Sequence, residues 1–361
     1  MKTDGLLVPD YILEANYCPL DTGATRRYGI EAEFFTVDPY SLQPRVLDAT
    51  SLDGFGKYVK PELGADQIEI STPPLASLRE LKEALEYYTK LLAGLAAQQK
   101  AALLPVPLLE GQHPITNHDR YATILRHLGE HARKYAPTVA SDQINIGACS
   151  EEEAFQIYER MRKLLPVFTG FAVASPFRNG CAGHNASERM TNYNLTLAEC
   201  PDMTGFPPAM RGLEDYANAL SNLPIFQHPN SYYKYLRPMP QRGVAAEIRS
   251  MDKQPTVRET MALAALAKGL VNASEVPEIQ NPERYFPHAV KQGVFDAGLF
   301  NEALRTAREH LDKGEAEMLQ PLEERLERGT VSDAFRRRYF DGEAADRIIS
   351  SMLIKGSGDV R

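Results

Sequence analysis

The sequence predicts an α+β fold built on a largely antiparallel sheet. Three observations carry that expectation. Four extended stretches alternate polar with apolar residues, whereas parallel strands buried on both faces read as continuous apolar runs. Long segments of helical periodicity separate several of these stretches. From Val257 onward the chain reads mainly as helix, so helices gather at one end instead of alternating regularly with strands.

The elements follow in order. "RRYGIEAEFFTVD", from Arg26, reads as the first strand, and "PYSLQPR" as the turn after it. "ADQIEIST" is the second strand, stopped by Pro73 and Pro74. "LASLRELKEALEYYTKLLAGLAAQQKAA" and "HDRYATILRHLGEHARKYA" read as helices, and "TVASDQINIGAC" as the third strand. Ser150 with Glu153 makes a capping box that starts the next helix, in which Pro166 predicts a kink. The following hundred residues are rich in Pro, Gly, Asn and Tyr and read as irregular, the kind of long loop that carries function. "RGVAAEIRSMD" is the fourth strand, and the C-terminal helices break near "VPEIQNPERYFP". One domain over residues 1–361 is expected, with its motifs in 26–255 and a helical part in 257–361.

Composition narrows the function. The 361 residues are 43% hydrophobic and 24% charged, an ordinary balance for a chain with a substantial core. Net charge is −8 and no Lys/Arg-rich run occurs, which argues against nucleic acid and anionic membranes as partners. The opening "MKTDGLLVPDYILEANYC" has no apolar core long enough for a signal peptide, and no stretch approaches a transmembrane span. Cys18, Cys149, Cys181 and Cys200 show no CxxC spacing and fit a reduced, cytoplasmic setting.

The four strands share one feature. Each carries two polar side chains spaced by two, and so on one face of the strand: Glu31 and Glu33, Gln67 and Glu69, Gln143 and Asn145, Glu247 and Arg249. A single sheet could present them together. Carboxylate oxygens without thiolates or clustered imidazoles suit a hard cation such as magnesium, which sits between like charges and offsets their repulsion. Arg249 would then face a phosphoryl group through its guanidinium fork. Taken strand by strand, each pair also reads as a solvated face or a surface ion pair. Other candidates are weaker. "DGFGKY", from Asp53, lacks Walker spacing and reads as a turn. His113 and His118 make no zinc pair and read as surface or loop residues. Ser175 lacks a GxSxG context, and Cys181 reads as a buried structural thiol.

"GIEAEFF", "QIEISTP", "INIG", "ASPFRNG…SER" and "LRP…RGVAAEIRSMD", taken in that order, resemble the successive motifs of the glutamate–cysteine ligases and their carboxylate–amine ligase relatives. The resemblance covers about Arg26 to Pro255. It implies a glutamine synthetase-like catalytic domain, a curved antiparallel sheet with helices on one side. It implies activation of a glutamate γ-carboxylate by ATP and magnesium (two or three ions) as an acyl phosphate, then attack by an amine. It matches Glu31, Glu33, Glu69 and Glu247 to metal-binding carboxylates, with Gln143 at a further metal position where many relatives carry histidine. It matches Arg249, with Glu247, to the catalytic group. Arg237, Ser187, Arg189 and Asn145 become expected substrate or nucleotide contacts. Small-molecule substrates are the implied partners, and a homo-oligomer is left open. The loop "SPFRNGCAGHNASER" is expected to cover the acyl phosphate. Relatives often carry Asp-Thr-Gly where this chain has Ala182, Gly183 and His184, which puts cysteine as acceptor in question. A magnesium-dependent hydrolase of a γ-glutamyl amide or phosphate, or a binding homologue without turnover, are the alternatives.

Overall fold

A computed structural model describes residues 25–223 and 231–360. Cys18 and the N-terminal stretch lie outside them. The strands are β1 (Tyr28–Val37), β2 (Val59–Pro61), β3 (Gln67–Ser71), β4 (Ala102–Leu104), β5 (Asp142–Gly147), the short hairpin β6 (Phe177–Arg178) and β7 (Cys181–Ala182), β8 (Leu236–Met239) and β9 (Val244–Ile248). The helices are α1 (Leu78–Gln98), α2 (Asp119–Tyr135), α3 (Glu151–Ala172), α4 (Glu188–Thr196), α5 (Leu213–Ser221), α6 (Val257–Asn272), α7 (Pro282–Gln292), α8 (Ala297–Glu309), α9 (Lys313–Glu317), α10 (Gln320–Arg328), α11 (Val331–Phe340) and α12 (Ala345–Ser350).

The main sheet runs β2-β3-β1-β5-β9-β8, with β4 pairing the end of β1, and every pairing is antiparallel. Period-two alternation sorts its faces. Ile30, Ala32, Phe34, Ile68, Ile70, Ile144, Ile146, Ala246 and Ile248 are almost wholly buried and share one core with side chains of α1, α3 and α6, such as Leu81, Phe168 and Leu263. The helices therefore lie behind the sheet, and the polar side chains point to the other face. No helix among the described residues is long and apolar enough to cross a membrane.

Several local expectations need correcting. The stretch after α3 is not irregular: it holds the β6–β7 hairpin, α4, α5 and the edge strand β8. β8 was hidden because Pro238 sits in it, and proline is tolerated in a strand at a sheet edge. α3 runs on through Pro166 to Ala172. Ser150 Oγ does cap α3, accepting from Glu153 N at 3.1 Å, but the Glu153 carboxylate reaches Cys149 N and Arg26 instead of closing the box. His113 is fully buried, its ring nitrogens 2.8 Å from Asp66 Oδ2 and from the Leu109 carbonyl oxygen. Cys181 is exposed.

Behind the sheet, one buried ionic group fixes the chain after β9. Asp142 accepts from Lys253 Nζ at 2.8 Å, Gln254 N at 3.0 Å and Thr260 Oγ1 at 2.6 Å. The Lys253 ammonium also lies 4.3 Å from the centroid of the Phe34 ring. Losing one member leaves the other charge buried without a partner, a cost of about 3–5 kcal/mol. We expect Lys253→Met to lower the unfolding free energy by that amount in urea titrations. Adding Asp142→Leu to it should recover part of the loss; a Lys253→Met protein as stable as the wild type would remove this anchor from the account.

Candidate active site

Register brings the sequence-predicted polar pairs together. Glu33 stands opposite Glu69, and Lys60 opposite Glu69 on the far side. Glu31 stands between Ser71 and Gln143, and Glu247 between Asn145 and Arg237. Directly opposed residues of antiparallel strands share a face. Arg249, just past β9, joins them by donating from Nη1 to Gln143 Oε1 and to Glu247 Oε1, both at 2.8 Å. The face floors a cleft of about 230 Å³. Tyr121, Ile124, Leu128 and Ala132 of α2, Arg189 and Tyr193 of α4, and Tyr233 wall it.

The floor is electrically divided. Glu31, Glu33, Glu62 and Glu69 occupy the β1–β2–β3 half, with Lys60 among them; Arg237, Arg249, Arg189 and Arg242 occupy the other. Glu247 lies fully buried under two arginines. Arg237 donates from Nε to Oε2 at 2.5 Å and from Nη2 to Oε1 at 3.0 Å, beside the Arg249 bond. Burial alone would raise the Glu247 carboxyl, but Arg237 and Arg249 outweigh it and hold the pKa below the ordinary value. The acidic half behaves oppositely. Burial, then the Glu247 and Glu69 charges, push Glu31 up to about 8, and burial with Glu69 raises Glu33. Glu62 is raised well above its usual range by burial and by Glu69 and Glu33.

The donor set fits a hard cation in chemistry, being all oxygen, and the crowding of Glu31 is the strain that a cation would relieve. The geometry is more selective than the sequence suggested. Among the described residues, no three acidic, imidazole or thiol side chains already converge on an ion. Glu247 is taken up by arginines, and Glu69 Oε1 by Lys60 Nζ at 2.8 Å and Ser71 Oγ at 2.6 Å. Glu33 accepts from Ser141 N at 2.7 Å and Gln143 Nε2 at 2.8 Å, and the Gln143 carbonyl oxygen faces Arg249. Among the described residues Glu31 accepts one bond, 3.3 Å from Asn145 Nδ2, and so keeps the most open oxygens. Magnesium retains waters and takes one or two carboxylates plus substrate phosphates, which this arrangement can supply from Glu31 and Glu33.

Two expected contacts fall elsewhere. Ser187 is fully buried; its Oγ donates to Asp252 Oδ1 at 2.7 Å and caps α4 by accepting from Met190 N. It does not line the cleft, and Arg189 N, two residues on, donates to Ser175 Oγ at 3.1 Å. The loop from Ser175 to Ser187 does not line the cleft. Its Phe177 ring stacks on Phe335, its Gly183 and Asn185 carbonyl oxygens accept from Arg336, and Ser332 Oγ donates to Ala186 O. Ala182, Gly183 and His184 therefore lie away from the cleft lining. Conversely, the sequence reading missed Lys60 and Glu62, although "KPE" repeats the spacing by two, because Pro61 disguises an edge strand. Tyr121, Tyr193 and Tyr233 carried no signal: only tertiary packing aims them here.

The fold is shared by solved structures. A bifunctional glutathione synthetase from Pasteurella multocida superposes with a TM-score of 0.69 at 12% identity, covering 91% of this chain and 51% of that one. A glutamate–cysteine ligase from Francisella tularensis, solved in complex with AMP, gives 0.66 at 12% identity, covering 94% and 89%. A family model, glutamate-cysteine ligase family 2 (GCS2), matches residues 27–353, and the chain belongs to that family. A Ruegeria pomeroyi relative named "Putative glutamate--cysteine ligase 2" is 28% identical over 258 residues, 67% of this chain. The match spans only 64% of that relative's own length. A Rubrobacter xylanophilus relative, named "Putative glutamate--cysteine ligase 2-3", is 28% identical over 314 residues, 80% of this chain and 84% of that one.

Glu31 also makes stability depend on pH. Its folded pKa of about 8 exceeds the ordinary 4.5, so between these values the fold holds a proton that the unfolded chain has released. This group therefore costs stability progressively as pH rises from 4.5, and the cost is complete above about 8. In chelator-treated protein, Glu31→Gln should raise Tm by several degrees at pH 9 and by much less at pH 5. Thermal melts showing an equal or negative shift at pH 9 would remove the crowding argument.

Proposed function

We propose that the protein is an ATP-dependent carboxylate–amine ligase. One carboxylate, taken here as the γ-carboxylate of glutamate, accepts the γ-phosphoryl group of ATP and ADP leaves. An amine nitrogen then attacks the acyl carbon, phosphate departs with the bonding pair, and the amine proton passes to solvent. One observation carries the reading most directly. Among the described residues, Arg249 and Arg189 each keep a buried Nε–H without a partner, and both border the cleft whose opposite half is carboxylate. Buried donors without acceptors are costly, and an incoming anion satisfies them.

The chain's own groups divide the work. Arg249, aligned by Glu247 and Gln143, presents a fixed fork to the transferring phosphoryl group, with Arg237 beside it. Arg189 is held by its Nη2 bond to the Arg249 carbonyl oxygen at 3.2 Å, with its guanidinium carbon 5.5 Å from the centroid of the Tyr193 ring. Glu31 and Glu33 would hold magnesium, which when bound neutralises phosphate oxygens. Family membership and the name of the AMP-bound neighbour support nucleotide use. The loop that departs from the relatives lies outside the cleft, so its sequence no longer argues against cysteine as acceptor.

The direct test is ADP release over a panel of carboxylic acids and amines with MgATP. A ligase gives ADP only when both partners are present; turnover that ignores the amine favours a hydrolase. Arg249→Lys keeps the charge but loses the fork. It should lower kcat about 10²-fold or more while changing ATP affinity far less. Normal turnover in that variant makes Arg249 structural.

A further inference from the structure

The proposed chemistry needs a cover, because an acyl phosphate open to water is hydrolysed. The expected loop packs elsewhere, and α2 crosses the cleft in its place. Its N-terminal half carries Tyr121, Ile124 and Leu128 over the floor. The preceding segment is tied to the turn after β2, where Thr116 N donates to Leu63 O at 2.9 Å and Ala65 N to Pro114 O at 2.8 Å. Beyond its middle, α2 is tied to the segment after α4, where His131 pairs with Glu199 at 3.2 Å, and the turn after α2 is tied to α4, where Asn192 Nδ2 donates to Thr138 Oγ1 at 3.0 Å.

Between the two attachments the helix is broken. Gly129 has φ 75° and ψ −166°, a conformation that a residue with a Cβ rarely adopts. The Glu199 carboxylate packs where that Cβ would stand, 2.1 Å from its position. A broken helix can bend at one residue while each half stays rigid. Across the cleft mouth, Tyr121 of the N-terminal half donates from Oη to the Pro61 carbonyl oxygen on the rim at 3.2 Å. Pro61 lies between Lys60 and Glu62, so this contact sits directly on the acidic half of the floor.

The geometry points to the Asp119–Leu128 half of α2 as a strap that bends at Gly129 and is held shut by Tyr121, keeping water from the activated carboxyl while the amine attacks. Tyr121 is then a positioning residue: it touches the rim and acts through closure. This inference rests on the ligase reading above. With the strap shut, the amine nitrogen bonds to the acyl carbon as phosphate leaves, and each ADP accompanies one amide. With it loose, a water oxygen bonds to the same carbon, phosphate leaves, the proton goes to solvent, and ATP is spent to regenerate the free acid.

The experiment measures ADP and amide formed in the same reaction, using the best acid and amine from the panel with saturating MgATP. Wild type should give about one ADP per amide. Tyr121→Phe, which removes only the latching hydroxyl, should give twofold or more ADP per amide at unchanged KM for ATP. Hydrogen exchange reads the strap independently of turnover. Amides 119–128 should gain protection when MgATP binds the wild type, and less in Tyr121→Phe. A Tyr121→Phe enzyme that stays at one ADP per amide, or equal protection in both proteins, overturns the strap and leaves the ligase reading intact. A wild type that releases no amine-dependent ADP overturns the ligase reading itself, and the strap's shielding role with it. Gly129→Ala meets both a strained φ and the Glu199 carboxylate. If it folds, it should uncouple in the same way; tight coupling in a folded Gly129→Ala protein also overturns the hinge.

Discussion

The cleft depends on how Glu247 is held. It is a carboxylate with no exposure, clamped by two guanidiniums, and each arginine is fixed by that clamp. Desolvating three charged groups is expensive, and complementary bonds in good geometry offset the cost. The return is orientation. Arg237 and Arg249 come from different chain segments, yet the shared carboxylate sets where both forks point. Two cations and one anion leave a net positive charge on the β8–β9 half, next to carboxylates that are raised by burial and by one another. The cleft is thus divided into a cationic and a carboxylate half.

The second constraint is Asp252, in the segment after β9. Asp252 accepts from Ala174 N at 2.8 Å, Ser175 Oγ at 2.7 Å and Ser187 Oγ at 2.7 Å. It thereby joins the end of α3, the start of α4 and the strand that carries Glu247. Asp142 does the same for β5 and α6 through Lys253, Gln254 and Thr260. Neither aspartate reaches the cleft. Both fix the backbone on which Arg249 and Arg189 stand, and so set where the two guanidiniums lie at the cleft. Stability and site geometry are here supplied by the same buried bonds.

The acidic half trades the other way. Glu31, Glu33 and Glu62 crowd one another and Glu69, and burial with these charges raises the carboxyls of Glu31, Glu33 and Glu62 at the expense of stability. Like charges gathered on a floor that tertiary bonds keep rigid are a common property of functional sites. The lone broken turn in α2 belongs to the same pattern, a local departure from regular structure placed over the chemistry.

Much was legible in the sequence because strand geometry has a period of two. "GIEAEFF", "QIEIS", "QINIG" and "AAEIR" each state which side chains share a face, and antiparallel pairing puts those faces together whatever the loops do. That was enough to read the α+β class and to bring Glu31, Glu33, Glu69, Gln143, Asn145, Glu247 and Arg249 to one side of one sheet. The sequence could not decide which oxygens stay open, because that depends on partners far along the chain: Lys60 on Glu69, Arg237 on Glu247, Ser141 on Glu33. Nor could it place the loop around Ala182 and His184, whose neighbours lie in helices some 150 residues later. Helix walls were equally silent, since an aromatic such as Tyr121 or Tyr193 at helical spacing reads alike in a core and over a cleft. Local periodicity fixes faces, and only tertiary packing decides what those faces meet.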